Sequence, residues 1–213
     1  MNLSRERQRP ALCAALFVWC CALIMLRVSK NPSALYTFLL WNLFLAALPL
    51  VFGAAFRAAS GRKSVLQIVW FILWLLFFPN APYILTDLLH LKDHTAAQVW
   101  LDLAVLMSCA GTGAVFGYYS LADVHAAIEE RFGKSIGWTL ACFVLLLCGY
   151  GIYVGRFLRF NSWNALLHPT HLIKTLFNNW QNPDPFPNPL TVTLVFAIGL
   201  LLGYCSLRAM NEK

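Results

Sequence analysis

Long apolar stretches without Asp, Glu, Lys or Arg dominate the pattern along the chain. Uncharged apolar runs of about 18 residues or more predict helices that cross a membrane, because the hydrocarbon core of a bilayer is about 30 Å thick. The runs predict an all-α, polytopic transmembrane helix bundle of about six spans, formed as a single domain by residues 1–213. The predicted spans cover residues 11–26, 33–56, 64–78, 100–121, 136–155 and 190–207.

The third span carries the most informative local pattern. Its apolar part, 64–78, makes about 22 Å of helix, less than the hydrocarbon core, and Pro79-Asn80-Ala81-Pro82 follows. Proline lacks a backbone donor and disfavours helix in the preceding residue, so we expect the residue before each proline to leave helical geometry. One interpretation is a Pro-broken span with a binding site, in which Asn80 contacts substrate. The other is a span that ends at Pro79, followed by an interfacial helix.

Three polar residues follow the break. Asp87, His90 and His94 fall at i, i+3 and i+7 of a resumed helix and therefore share one face. Asp102 lies just inside the fourth span. We predict Asp87, His90 and Asp102 to be catalytic, as acid-base groups or as ligands of a metal whose presence the sequence leaves open. The alternative is that these are hydrated surface groups at the membrane boundary.

A basic and aromatic segment follows the fifth span. Arg156 and Arg159 are one turn apart on one predicted helical face, with Trp163 a further turn along, which is a suitable arrangement for binding a lipid phosphate. The alternative is a pair of snorkelling arginines beneath an aromatic belt. Farther along, an apolar stripe opposite polar residues predicts an amphipathic helix lying in the membrane interface before the last span. The stripe consists of Leu172, Ile173, Leu176, Phe177 and Trp180.

Several residues in or near the spans are predicted to have structural roles. Asn42, near the middle of the second span, is expected to hydrogen bond to another helix rather than to contact substrate. His125 is expected at the surface, beyond the fourth span, with Glu129 in a solvated connector. Glycines four residues apart are expected to let helices of one subunit pack closely, with a dimer interface as the alternative. The pairs are Gly113 and Gly117, Gly151 and Gly155, and Gly199 and Gly203.

Composition and charge narrow the class of protein. Hydrophobic residues make up 60% of the chain and charged residues 12%, against about 25% charged in soluble domains. These values exclude a soluble globular domain, a disordered chain, a coiled coil and a disulfide-rich secreted module. The net charge of +7 comes from basic residues that flank the spans, so we expect membrane lipids, and not nucleic acid, as partners.

The distribution of Lys and Arg predicts an orientation. If the N-terminus is cytoplasmic, ten of these residues lie on the cytoplasmic side and six on the other. The excess favours cytoplasmic positions for both termini and a periplasmic position for the segment between spans three and four.

Three stretches carry a resemblance to a known family. They are residues 41–45 (WNLFL), residues 78–91 (FPNAPYILTDLLHL) and residues 151–163. Together they resemble the bacterial membrane proteins catalogued as domain of unknown function thirteen sixty-one, over roughly residues 35–207. The resemblance implies a polytopic protein of the bacterial inner membrane. It supplies no substrate, reaction, cofactor or partner protein.

Three functions are open from the sequence. The first is a membrane-embedded enzyme that acts on a lipid or lipid-linked substrate at the periplasmic face; it is favoured slightly because the polar groups gather at span ends. The second is a small-molecule transporter that uses the broken third helix, although the sequence shows no second broken span or paired halves. The third is a noncatalytic membrane subunit or assembly factor, for which the glycine faces and the amphipathic helix suffice.

Overall fold

The computed structural model describes residues 3–30, 34–59, 65–93, 99–160, 167, 169–181 and 188–211. Over these residues the fold is all-α, without strands, which confirms the predicted class. A ten-residue 3-10 helix, η1 (Ile84–Asp93), directly follows the short helix α4. The α-helices are α1 (Leu3–Lys30), α2 (Ala34–Ala58), α3 (Val65–Phe77), α4 (Asn80–Tyr83), α5 (Val99–Phe132), α6 (Lys134–Arg156), α7 (Pro169–Gln181) and α8 (Pro189–Asn211).

Six segments within the described residues are long and apolar enough to cross a membrane, which confirms the predicted polytopic bundle. The protein is a multi-pass membrane protein. The third segment, Val65–Leu88, comprises α3, α4 and the first half of η1, so the break lies inside this apolar segment. Ala81, Ile84 and Asp87 are buried in the bundle. The burial of these residues favours the Pro-broken span over a span that ends at Pro79 and is followed by an interfacial helix.

Helix α5 is the centre of the bundle and contacts α1, α2, α4, η1 and α6. We name each of the two ends of the bundle after a residue that lies there. At the end that we call the Asp87 end, the C-terminal parts of α1 and α6 approach the N-terminal parts of α2 and α5. The His125 end holds the start of α1 and the end of α8, where Arg9 contacts Asp123 and Arg208 contacts Glu129. The first span therefore begins, and the last span ends, at the same end of the bundle.

His125 is buried, so the prediction of a surface histidine is wrong. Only 1% of the residue is exposed, and its Nδ1 lies 2.8 Å from the Tyr204 hydroxyl of α8. Arg208 donates to Glu129 at 3.2 Å, so Glu129 belongs to this cluster and not to a solvated connector. The Arg208 guanidinium also lies 5.4 Å from the centre of the Trp138 ring. The cluster joins α5, α6 and α8, and a polar histidine is satisfied there because α8 supplies the hydroxyl.

Helix α7 confirms the predicted helix between the last two spans. Ile173 and Phe177 on its predicted apolar stripe are exposed, whereas Leu172 faces the bundle. Exposed apolar residues on an amphipathic helix fit a position at the membrane interface, which stays a prediction. Trp180 is on the helix, and its side chain lies outside the described part of the structure.

Candidate functional site

The break in the third span is a tight helical turn, not an unwound segment. The backbone N–H of Ala81 donates to the oxygen of Phe78 at 3.2 Å, and that of Tyr83 donates to the oxygen of Pro79 at 3.1 Å. Helix α3 ends at Phe77, but the N–H of Phe78 still donates to the oxygen of Trp74 at 2.8 Å, so the departure of Phe78 from helical geometry stays a prediction. Ala81 lies inside α4, so the matching prediction for the residue before the second proline is wrong. The hydrogen bond from Ala81 to the residue three positions earlier keeps the chain helical, although Pro82 has no backbone donor.

Asn80 completes the hydrogen bonding of this turn. Because Ala81 donates to Phe78, it does not donate to the carbonyl of Phe77, which a regular helix would require. The Asn80 side-chain amide donates to that carbonyl at 2.9 Å instead. Asn80, predicted from the sequence to contact substrate, therefore has a structural role in the break, and it also lines the groove described below.

Glycines of α5 and α6 hold the break in place. A Cβ atom built on Gly113 of α5 would collide with the backbone oxygen of Ala81. On the α6 side, a Cβ on Gly151 would lie 3.1 Å from the Pro79 ring, and one on Gly155 would lie 3.0 Å from the Tyr83 ring. Gly117 of α5 meets the break at an ordinary distance, and Gly203 of α8 lies against Tyr118, whereas Gly199 faces open space. Packing within one subunit is thus confirmed for all but Gly199 of the predicted glycines.

Asp87 forms a buried ion pair next to the break. Its Oδ2 accepts a hydrogen bond from the Asn42 side-chain amide at 3.0 Å, and its Oδ1 lies 3.4 Å from Nη1 of Arg156. The prediction that Asn42 bonds to another helix is confirmed. The Asp87 side chain is 2% exposed, whereas that of Arg156 is 16% exposed, so the arginine is the accessible member of the pair.

Asp102 belongs to a second buried cluster. The Arg27 guanidinium donates to both carboxylate oxygens, with Nη2 3.4 Å from Oδ2, and the Tyr36 hydroxyl donates to Oδ1. The Arg27 guanidinium lies 4.8 Å from the centre of the Tyr36 ring. Asp102 is completely buried, so the expectation that it reaches water at the span end is wrong. Arg27 of α1 and Tyr36 of α2 supply the hydrogen bonds that water would supply at the membrane surface.

The structure does not bring the predicted carboxylates into one centre. Asp87 and Asp102 each have their own arginine, from α6 and α1 respectively. Among the residues that the structure describes, no three His, Cys, Asp or Glu side chains are grouped closely enough to hold a metal ion. The backbone of His90 belongs to η1, but its side chain lies outside the described part of the structure, as does the whole of His94. Their catalytic or ligand roles stay predictions.

The predicted pairing of Arg156 with Arg159 on one helical face is wrong. Helix α6 ends at Arg156, and Arg159 follows in the left-handed backbone region with φ of 58°. The N–H of Phe160 donates to the oxygen of Val154 at 3.2 Å, which closes the end of the helix. Trp163 lies outside the described residues. The phosphate-binding roles of Arg156, Arg159 and Trp163 stay predictions, without the shared helical face.

A groove of about 490 Å³ runs along the broken span and ends near the Asp87 pair. Phe38, Trp41 and Ile72 at its rim are about half exposed, so the groove opens sideways towards the lipid. Asn42 lines the groove and also binds Asp87, so it links the groove to the ion pair. The other described lining residues are mainly apolar and include Leu45, Phe71, Leu75, Leu76, Val154, Phe160 and Leu172.

Comparison with known families identifies the family of the chain. A family model described as "Protein of unknown function (DUF1361)" matches residues 41–207, which is more than half of the chain. The chain belongs to the DUF1361 family. The resemblance noted from the sequence is therefore confirmed. No curated protein and no solved structure matches the chain.

The range that the DUF1361 model matches contains all of the Asp87 ion pair but only part of the Asp102 cluster. It contains Asn42, Asp87 and Arg156 together with the whole break, so every described member of the Asp87 site lies within the family region. Arg27 and Tyr36, which bind Asp102, precede the matched range. The family region therefore includes the groove next to Asp87 almost completely.

Sequence reasoning missed the arginine partners of both carboxylates. Arg27, directly after the first predicted span, and Tyr36 carried no signal that paired them with Asp102. The available signal was charge balance: an ionised carboxylate inside a span requires a cation from another helix at the same depth. Arg27 near the end of α1 and Arg156 at the end of α6 satisfy that requirement.

Proposed function

We propose that the protein takes a lipid or lipid-linked substrate from the bilayer into the groove and acts on its polar headgroup at the Asp87 end. The observation that supports this most is the shape of the groove, which opens towards lipid along an apolar wall and reaches Asn42 and Asn80 inside. An amphipathic molecule fits such a site, because its acyl part matches the apolar wall and its headgroup matches the polar end.

The Asp87 pair supports recognition of an anionic headgroup. Arg156 lies 3.4 Å from Asp87, longer than the 2.7 to 2.9 Å typical of a charge-assisted bond, and it has five donors in all. Phosphate oxygens of a substrate are natural ligands of an arginine guanidinium, and the Arg156 side chain is partly exposed at this end of the bundle. In this proposal Arg156 contacts the headgroup, and Asp87, held by Asn42, orients the arginine.

The same geometry favours a positioning role for Asp87 over a role as proton acceptor. Both of its oxygens already accept hydrogen bonds, one from Asn42 of α2 and one from Arg156 of α6. Asp102 is bound in the same way by Arg27 and Tyr36, which supports a stabilising role. His90, one 3-10 turn after Asp87 in sequence, stays the candidate for acid-base chemistry.

The close packing of the break against α5 and α6 gives less support to the transporter alternative. Alternating access requires one part of the bundle to move against another. Here, glycines of α5 and α6 contact the break closely, and the Asn80 amide donates to the Phe77 carbonyl. A segment fixed in this way suits a rigid wall of a binding site.

We place the Asp87 end on the periplasmic side of a bacterial inner membrane, with both termini in the cytoplasm. The excess of Lys and Arg on the other side supports this orientation. Alkaline phosphatase fused after Lys92 is expected to be active, because this enzyme requires the periplasm. An inactive fusion at that position, with an active fusion at the C-terminus, would reverse the orientation.

Lipid retention by groove variants tests the site. Val154→Trp places an indole in the groove, and Val195→Trp adds the same bulk to the exposed side of α8 as a matched control. Both variants and the unaltered protein are purified in mild detergent, and bound lipid is quantified per protein by native mass spectrometry. We expect Val154→Trp to lose a lipid that Val195→Trp keeps. Equal lipid content in the two variants would contradict the groove as the binding site.

Turnover tests the reaction. The purified protein is incubated with lipid extract, and lipid species are compared before and after by mass spectrometry. We expect a species to be converted by the unaltered protein and not by Arg156→Gln or His90→Ala. Binding without conversion in every variant would contradict the enzyme and favour the noncatalytic alternative.

A further inference from the structure

A second groove lies at the His125 end of the bundle, away from the proposed substrate site. It has a volume of about 370 Å³ and lies between α2, α3, α5 and α6. Ile68, Phe132 and Ile136 at its rim are all more than half exposed, so this groove also opens towards lipid. Apart from Gln67 and Arg131, its lining is apolar.

Gln67 orients Arg131 at the polar end of this groove. Gln67 is 8% exposed, and its Oε1 accepts a hydrogen bond from Nη1 of Arg131 at 3.3 Å. The Arg131 guanidinium lies 5.1 Å from the centre of the Phe132 ring. A neutral amide and an aromatic ring hold the guanidinium without neutralising its charge, and most of its donors are left for another ligand.

Arg131 differs from most arginines whose side chains the structure describes. Five of these, at positions 9, 27, 57, 156 and 208, lie within 4.0 Å of a carboxylate oxygen. Arg131 and Arg159 have no such carboxylate among the described residues, and of the two only Arg131 lines a groove. The acidic residues that precede Arg131, Glu129 and Glu130, pair with Arg208 and Arg57. The positive charge of Arg131 is therefore not balanced by its acidic neighbours.

We propose that this groove binds a phospholipid with an anionic headgroup, with an acyl chain against the apolar wall and the phosphate bound by Arg131. Charge complementarity decides the class of lipid. Arg131 makes the polar end of the groove positive. A lipid with net negative charge, such as phosphatidylglycerol, is therefore favoured over a zwitterionic lipid. The two grooves share Phe71 in their linings, but their polar ends lie at opposite ends of the bundle, so the proposal does not depend on the proposed function.

Affinity for two lipids tests the proposal. Dissociation constants for phosphatidylglycerol and phosphatidylcholine are measured by native mass spectrometry on delipidated protein in detergent. The charge variant is Arg131→Gln, and its control is Lys174→Gln, which removes one positive charge on exposed α7. The groove variant is Ile136→Trp, and its control is Ile198→Trp on the exposed side of α8. Elution volume and helical circular dichroism check that each variant is folded.

The unaltered protein is expected to bind phosphatidylglycerol more tightly than phosphatidylcholine. Arg131→Gln is expected to weaken phosphatidylglycerol binding about fivefold, since one basic residue near an anionic lipid contributes about 1 kcal/mol. Phosphatidylcholine binding should change little. Ile136→Trp is expected to weaken the binding of both lipids, and the two controls to weaken neither.

Three results would overturn the proposal. They are equal affinities for the two lipids in the unaltered protein, equal losses in Arg131→Gln and Lys174→Gln, and unchanged binding in Ile136→Trp. If Arg131→Gln does not fold, Arg131→Lys and Ile136→Trp decide the question. The lysine should keep the preference for phosphatidylglycerol because it keeps the charge. Loss of the preference in Arg131→Lys, or full binding in Ile136→Trp, would then refute the site.

Discussion

Three glycines of α5 allow the packing of the broken span to be measured with one kind of substitution. Replacement by alanine adds the same single Cβ atom at Gly111, Gly113 and Gly117. At Gly111 the new atom has no neighbour within 4 Å, and at Gly117 it makes an ordinary contact of 3.4 Å with the Cβ of Ala81. At Gly113 it collides with the backbone oxygen of Ala81. The three variants therefore differ only in how closely the break approaches α5.

The expected stabilities follow from two opposing effects. Alanine is more favourable than glycine in a helix interior by about 1 kcal/mol. An added methyl group in a fully packed place costs about 1 to 3 kcal/mol, and the upper part of that range applies at Gly113 because a backbone atom cannot turn aside. Gly111→Ala should therefore be stabilised by up to about 1 kcal/mol and Gly113→Ala destabilised by about 1 to 2 kcal/mol. Gly117→Ala should fall between them.

Thermal unfolding in detergent measures this order. Each variant is heated in the same detergent, and the folded fraction that elutes as a monodisperse peak gives an apparent midpoint. A difference of about 2 to 3 kcal/mol between Gly111→Ala and Gly113→Ala corresponds to roughly 5 to 10 °C for a chain of this size. Equal midpoints for these two variants would refute the close packing of α5 against the break.

Further predictions concern the buried polar groups, all measured by the same midpoint. Asp102→Asn should destabilise the protein by about 3 to 5 kcal/mol, because it leaves the buried Arg27 charge without its carboxylate. The double variant with Arg27→Gln should lose less stability, and an equal or larger loss would contradict this explanation. Asn80→Ala should cost about 1 to 3 kcal/mol, because it removes the amide that donates to the Phe77 carbonyl, and an unchanged midpoint would contradict this role. Tyr204→Phe should cost about 1 kcal/mol by removing the hydroxyl that bonds to His125, and an unchanged midpoint would contradict that role.

The local pattern of the sequence was sufficient to predict the spans and the break. Apolar length locates the six spans because the bilayer sets a minimum length for each. Pro79 and Pro82 locate the break because each removes a backbone donor. The conformation of the break was predicted less well, since Ala81 stays helical through a hydrogen bond to Phe78. The preference of a residue before proline is weaker than the packing of Gly113 against that turn.

The partners of the polar residues were not predictable from local pattern. Arg27 and Asp102 are 75 positions apart in the chain, and Arg156 and Asp87 are 69 apart. Their pairing depends on which spans are adjacent and at what depth each charge lies, and apolar periodicity specifies neither. The surface assignment of His125 failed for the same reason, because its hydroxyl partner, Tyr204, comes from the last span.

The arrangement of charge restricts where chemistry takes place in this bundle. Asp102 is bound between Arg27 and Tyr36 and is fully buried, so a substrate that reached it would have to break three hydrogen bonds. Asp87 is buried as well, but its arginine is partly exposed, and Asn42 connects the pair to a groove open to lipid. Glycines of α5 and α6 bring these helices into close contact with the break. In the proposed function, the lipid substrate enters this groove sideways from the bilayer.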